Sequence, residues 1–155
     1  MKFTLPEFLA YAIAMEDEAA NRYLELADMM ETYEKDEVSS LFRDMNHYSI
    51  LHRDSIKERV GSIELPTIRS WEYRWALPSE VGDEEGFDRN MDPYLALEYA
   101  RDNERRAMEF YQSVAEGAED PELKTLAAEF AAEEQEHTDA LEGLLDKTLR
   151  RKNEL

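Results

Sequence analysis

Near the start of the chain the apolar positions return every three or four residues. Leu9, Ala12, Ile13, Ala19, Ala20, Tyr23, Leu26, Ala27 and Met30 share one face, and Glu16 sits in the middle of it. This spacing predicts a helix over about 4–32, opened by Thr4 with Glu7 three residues on. In such a capping box each side chain satisfies a free amide of the first turn. A second periodic stretch, about 36–60, turns Val38, Leu41, Phe42, Met45, Tyr48, Ser49, His52 and Ile56 inward and stops at Gly61. Asp92-Pro93 opens a third helix that Gly117 closes, and Asp120-Pro121 opens a fourth reaching about residue 150. Asp as cap followed by Pro marks a helix start, because the proline's missing N–H would have had no partner there. Lys147, Arg150, Arg151 and Lys152 bring positive charge to the negative end of the fourth helix.

Between the second and third helices, residues 61–92 hold Gly61, Gly82, Gly86, Pro66 and Pro78, and both tryptophans, Trp71 and Trp75, with Tyr73 between them. The short turns at 33–35 and 118–120 make helices 1–2 and 3–4 antiparallel hairpins. The long connection is enough to carry the chain back along the bundle's length. An all-α four-helix bundle is therefore expected, one domain over residues 1–155, with the apolar crossover packed on the bundle or on a second subunit.

Charge narrows the partners. The chain has 18 Lys+Arg against 37 Asp+Glu, a net charge of −19. Nucleic acid and anionic membrane surfaces both demand a surplus of Lys and Arg, so neither is an expected partner. A carboxylate surplus instead concentrates cations, metal ions among them. With no cysteine in the chain, any metal must be held by oxygen and nitrogen. The longest uncharged apolar run, Phe8 to Met15, falls far short of the roughly 20 residues that cross a bilayer. Pro6, Glu7 and the acidic residues from Glu16 to Glu18 fit poorly with a cleavable secretory segment, so cytoplasm is the expected location.

The two hairpins repeat one another. A shift of 88 residues sets Glu16 on Glu104, Ala19 on Ala107, Tyr23 on Tyr111 and Ala27 on Ala115, all identical pairs. A shift of 85 sets Leu41 on Leu126, Met45 on Phe130, Ser49 on Glu134, His52 on His137 and Ile56 on Leu141. The repeat gathers an inward Glu from helix 1, another from helix 3, and Glu134-x-x-His137 from helix 4. Residues three apart share a helix face, so that last pair can reach a common ion. Buried carboxylates are costly to ionise unless paired or bound to metal. Glu16, His52, Glu104, Glu134 and His137 meet that cost with one or two divalent ions, and mixed carboxylate and imidazole donors suit iron or manganese, with zinc a further possibility.

Plainer readings exist for each residue. A lone inward His is more often a hydrogen-bonded core residue than a ligand, and the whole cluster can be a metal-free polar network. Tyr23 and Tyr111, two turns beyond Glu16 and Glu104, either donate hydrogen bonds to the opposite carboxylates or fill the core. His47 lies off the face of His52 and is expected in solvent, and the methionines are expected to pack. Ser49 near His52 lacks the third group and oxyanion donors of a nucleophilic site.

Both hairpins resemble the rubrerythrin and ferritin-like di-iron carboxylate proteins over nearly all their length, through the Glu…Tyr spacing of seven, present twice, and the one intact Glu-x-x-His. The resemblance implies a ferritin-like four-helix bundle, a centre of two iron ions, peroxide- or oxygen-dependent ferrous oxidation, and a homodimer or larger homo-oligomer. Two departures accompany it. Rubrerythrins proper add a cysteine-ligated rubredoxin domain that supplies electrons; without cysteine, this chain needs an external electron donor. Ser49 stands where the family has a bridging Glu, and Ala107 replaces a further family Glu on helix 3. The expected grouping is Glu16 and His52 on one ion and Glu104 and His137 on the other, with Glu134 bridging and Glu133 as a substitute ligand for the carboxylate lost at Ser49. Two rival functions keep the same bundle: a non-catalytic metal carrier or store, and a metal-free scaffold.

Overall fold

The computed structural model describes residues 3–68 and 92–154, with side chains as far as Leu149. Four helices form in chain order: α1 (Leu5–Thr32), α2 (Asp36–Val60), α3 (Pro93–Gly117) and α4 (Pro121–Glu154). Three starts are those expected. Thr4 and Glu7 exchange both bonds of the capping box, at 3.0 and 3.3 Å. Asp92 Oδ1 accepts from the amide of Leu95 at 2.9 Å, and Asp120 Oδ1 from that of Glu122 at 3.0 Å. At its start α2 has no side-chain cap, and Asp36 and Glu37 in its first turn complement the dipole instead. It is Gly61, at φ +54°, that ends α2 in a conformation where a Cβ would be strained.

The turn after α1 closes as a Schellman motif, with Glu34 N–H on the Glu31 carbonyl at 2.9 Å and Lys35 N–H on that of Met30 at 2.8 Å. Glu34 takes the positive φ, 61°, that glycine usually supplies there. One boundary differs from expectation: α4 continues four residues beyond 150, through a Lys/Arg/Glu-containing run of good helix formers with no Gly or Pro to stop it.

Packing pairs α1 with α2 and α3 with α4, and the two hairpins meet through α2·α3 and α1·α4. Ser39 Oγ donates to the Ala27 carbonyl at 2.8 Å and Asn46 Nδ2 to that of Ala20 at 2.7 Å, pinning the first hairpin. Two apolar clusters make the core. One joins Tyr23, Leu26, Met30, Phe42, Met45, Leu97, Leu141 and Leu145. The other joins Phe8, Leu9, Ile56, Tyr111, Val114, Leu123 and Phe130, with Ile63 and Leu65 of the crossover packed against it. On every helix polar residues lie between the two: Glu16, Ser49 and His52, Glu104, and Glu134 and His137. The remaining crossover features, including Trp71, Tyr73, Trp75, Pro78, Gly82 and Gly86, lie outside the described residues, as do the side chains of Arg150, Arg151 and Lys152. No helix among the described residues is long and apolar enough to cross a membrane.

Candidate metal centre

The polar stretches of all four helices meet midway along the bundle. Glu16, Ser49, His52, Glu104 and Glu134 are buried there, and His137 is half-buried. Nδ1 of His52 lies 2.8 Å from Glu16 Oε1 and 3.2 Å from Glu134 Oε1. Nδ1 of His137 lies 3.5 Å from Glu134 Oε2 and 3.8 Å from Glu104 Oε2. One carboxylate thus turns one oxygen to each imidazole. Two groups of donors follow, Glu16–His52–Glu134 and Glu104–Glu134–His137, each with its donor atoms within 4.8 Å of one another.

Tyr111 donates from α3 to Glu16 on α1, and Tyr23 from α1 to Glu104 on α3, both at 3.3 Å. Both tyrosines are fully buried, so each fills the core as well as meeting a carboxylate. Asn103 Nδ2 donates to the Tyr23 hydroxyl at 2.9 Å. Phe130 and Tyr111 set ring edges against His52, with centroids 5.4 and 6.4 Å away, and wall that side from water.

The electrostatics are those of a crowded carboxylate pocket. Burial pushes Glu134 well above the ordinary carboxylate range, and the negative charges of Glu104 and Glu16 add to it. Burial would also raise Glu104, but its contacts with Glu134 and His137 bring it below its usual value. Burial alone would lower the His52 pKa; Glu133, Glu134 and Glu16 outweigh it and raise the value to about 12. Glu104 and Glu134 raise His137 to about 10. Both imidazoles therefore keep their protons at neutral pH in the metal-free chain. Burial raises both tyrosines, with the carboxylates adding to the effect, so they remain donors.

The donor set fits divalent metal. Glu134 Oε2, fully enclosed, has no hydrogen-bond partner, an exposed cost that a cation would remove. Oxygen and imidazole nitrogen together suit iron, manganese or zinc.

The rubrerythrin family profile matches residues 7–89 and 95–154, nearly the whole chain. The chain belongs to the rubrerythrin family. It is also similar to a solved structure, an uncharacterized conserved protein from Magnetospirillum magnetotacticum MS-1, at 54% identity and a TM-score of 0.76, with 94% of this chain and 95% of that one covered. No curated protein matches it. Membership accords with the all-α ferritin-like bundle of two hairpins.

Of the residues expected at the site, the structure brings together Glu16, His52, Glu104, Glu134 and His137, with Tyr23 and Tyr111 bonded to two of the carboxylates and Ser49 buried one turn before His52 on α2. His47 is exposed as expected. Tyr48 is not inward: it is 48% exposed, one position off the buried stripe, and lays its ring against His137 at a centroid distance of 5.7 Å. Asn103 carries no signal in the sequence, because its counterpart in the repeat is Met15 and no symmetry points to it.

Proposed function

We propose that this rubrerythrin-family chain is a di-metal carboxylate oxidoreductase in which Glu16, His52, Glu104, Glu134 and His137 hold two iron ions. The observation that carries the reading is Glu134, whose two oxygens face two different imidazole–carboxylate pairs. With ferrous iron bound, such a pair supplies two electrons, enough with two protons to reduce one hydrogen peroxide to two waters, and an external donor must return them. The chain's own residues prepare for this. Tyr111 and Tyr23 hold Glu16 and Glu104 by hydrogen bonds, fixing their orientation. Phe130 and Tyr111 keep the His52 side dry, while the half-buried His137 leaves an approach for a small oxidant. Protons displaced from Glu134 and the two imidazoles on loading leave neutral nitrogen and anionic oxygen donors.

Ser49 favours a second reading, a metal carrier or store. It is buried at the repeat position of Glu134 and gives the centre one carboxylate fewer than two complete halves would have. Anaerobic loading with ferrous ion, elemental analysis and peroxide consumption separate the two. Two irons per chain and rapid consumption support the oxidoreductase; consumption no faster than that of a Glu134→Ala, His137→Ala double variant overturns it, and stoichiometric binding without turnover leaves the carrier.

A further inference from the structure

Glu133 stands beside the five residues assigned to metal, and its Oε2 comes within 2.8 Å of Nε2 of His52. Nδ1 of the same ring faces Glu16 and Glu134. The two nitrogens occupy different edges of the imidazole. An ion shared by Glu16, Glu134 and Nδ1 therefore leaves Nε2 carrying hydrogen and turned toward Glu133. That placement sets Glu133 at the nitrogen facing away from Glu16 and Glu134, where it serves the imidazole rather than the place of the carboxylate absent at Ser49. Nε2 is buried and has no aligned hydrogen-bond partner, while the Glu133 carboxylate, on a side chain 43% exposed, lies 2.8 Å from it.

The repeat sharpens the point. The shift of 85 residues that sets Ser49 on Glu134 also sets Tyr48 on Glu133. Each of these two residues lies against the histidine of the other hairpin, Glu133 against His52 and Tyr48 against His137. One half of the centre thus has an anionic acceptor behind its imidazole, and the other has an exposed aromatic ring. The halves differ in enclosure too, with the His52 side chain 6% exposed and that of His137 31%.

We propose that Glu133 is a positioning residue that accepts the Nε2–H of His52, presents Nδ1 to the ion, and makes the Glu16–His52–Glu134 position the tighter of the two. Glu104–Glu134–His137 is then the exchangeable position. The proposal rests on the two-metal reading above. A carboxylate behind a ligating imidazole fixes its tautomer and raises its basicity, and loss of such a partner costs roughly 10–100-fold in metal affinity.

The test is calorimetric titration of the metal-free full-length chain with zinc(II), joined to two-bond ¹⁵N–¹H correlation spectra of the zinc-loaded protein. The wild type should bind in two unequal steps. Glu133→Ala should weaken the tighter step by about 10–100-fold and spare the weaker one, and Glu133→Gln, which keeps an acceptor oxygen, should restore part of the loss. In the spectra His52 should be bound through Nδ1 and protonated at Nε2, with its Nε2–H resonance lost to solvent exchange in Glu133→Ala. Identical isotherms for wild type and Glu133→Ala overturn the proposal while leaving the metal centre standing, as does zinc on Nε2. Absence of any zinc binding by the wild type overturns both.

Discussion

The hydroxyl of Tyr111 on α3 donates to Oε1 of Glu16 on α1 across 3.3 Å, between two helices whose backbones barely approach each other. Its repeat counterpart, Tyr23, does the same in reverse to Glu104. The two bonds cross the bundle's diagonal and tie one hairpin to the other through the candidate ligands. Tyr111→Phe should therefore remove one of the two partners of Glu16 Oε1, which keeps His52 Nδ1 at 2.8 Å, and cost about 1 kcal/mol in urea unfolding of the metal-free protein. Tyr23→Phe should cost more, because the Asn103 amide loses its acceptor as well. Two variants as stable as wild type would show that these hydroxyls only fill space.

Much of this was legible in the chain itself. The apolar stripes and the Thr4, Asp92 and Asp120 caps announce four helices, because capping and burial periodicity are local properties. The repeat pointed to the candidate ligands, since Glu16/Glu104 and His52/His137 are the same positions of one hairpin written twice. What stayed hidden depended on rotation within a turn. Tyr48 is adjacent to the buried Ser49, and periodicity does not tell the edge of a stripe from its centre. Nor can it say which nitrogen of His52 faces Glu133, a matter of ring orientation across two hairpins.

Ser49→Glu would complete the second half of the repeat. Ser49 is only 4% exposed and lies one turn before His52 on α2, so a fourth buried acid there should lower the melting temperature of the metal-free protein. Two divalent ions should reverse the effect, with tighter binding than wild type and a larger ligand-induced rise in melting temperature. Unchanged metal affinity would remove position 49 from the centre.

The metal-free protein should lose stability as pH rises above about 6.5. His52 and His137 have folded-state values of about 12 and about 10 against an ordinary 6.5. A raised value contributes fully below the unfolded pKa, and that contribution drains away as pH climbs toward the folded one. Glu134, raised above its ordinary 4.5, acts in the same direction from a lower starting pH. Glu133 and Glu104 are lowered, so their contribution is present above about 4.5 and is lost on acidification. Melting temperatures in chelator should peak between roughly pH 5 and 6.5 and fall through pH 9. With metal the trend should invert over that alkaline range, because ions replace the protons and affinity rises with pH. A flat profile in chelator would mean that neither imidazole is held protonated.

Glu134 belongs to both donor groups, whereas Glu16 and His52 belong to one and Glu104 and His137 to the other. Single substitutions should therefore divide by stoichiometry. Glu16→Ala and His52→Ala should each abolish one binding step, Glu104→Ala and His137→Ala the other, and Glu134→Ala should weaken both. Equilibrium dialysis of each variant against zinc(II) reads this directly. Because Glu134 is the most enclosed of the five and its Oε2 has no hydrogen-bond partner, Glu134→Ala should also remove the cost of burying a carboxyl group. It should thus be the variant with the smallest loss of metal-free stability for its loss of metal. If Glu134→Ala lost only one ion, the shared-carboxylate geometry would fail and two independent mononuclear sites would take its place.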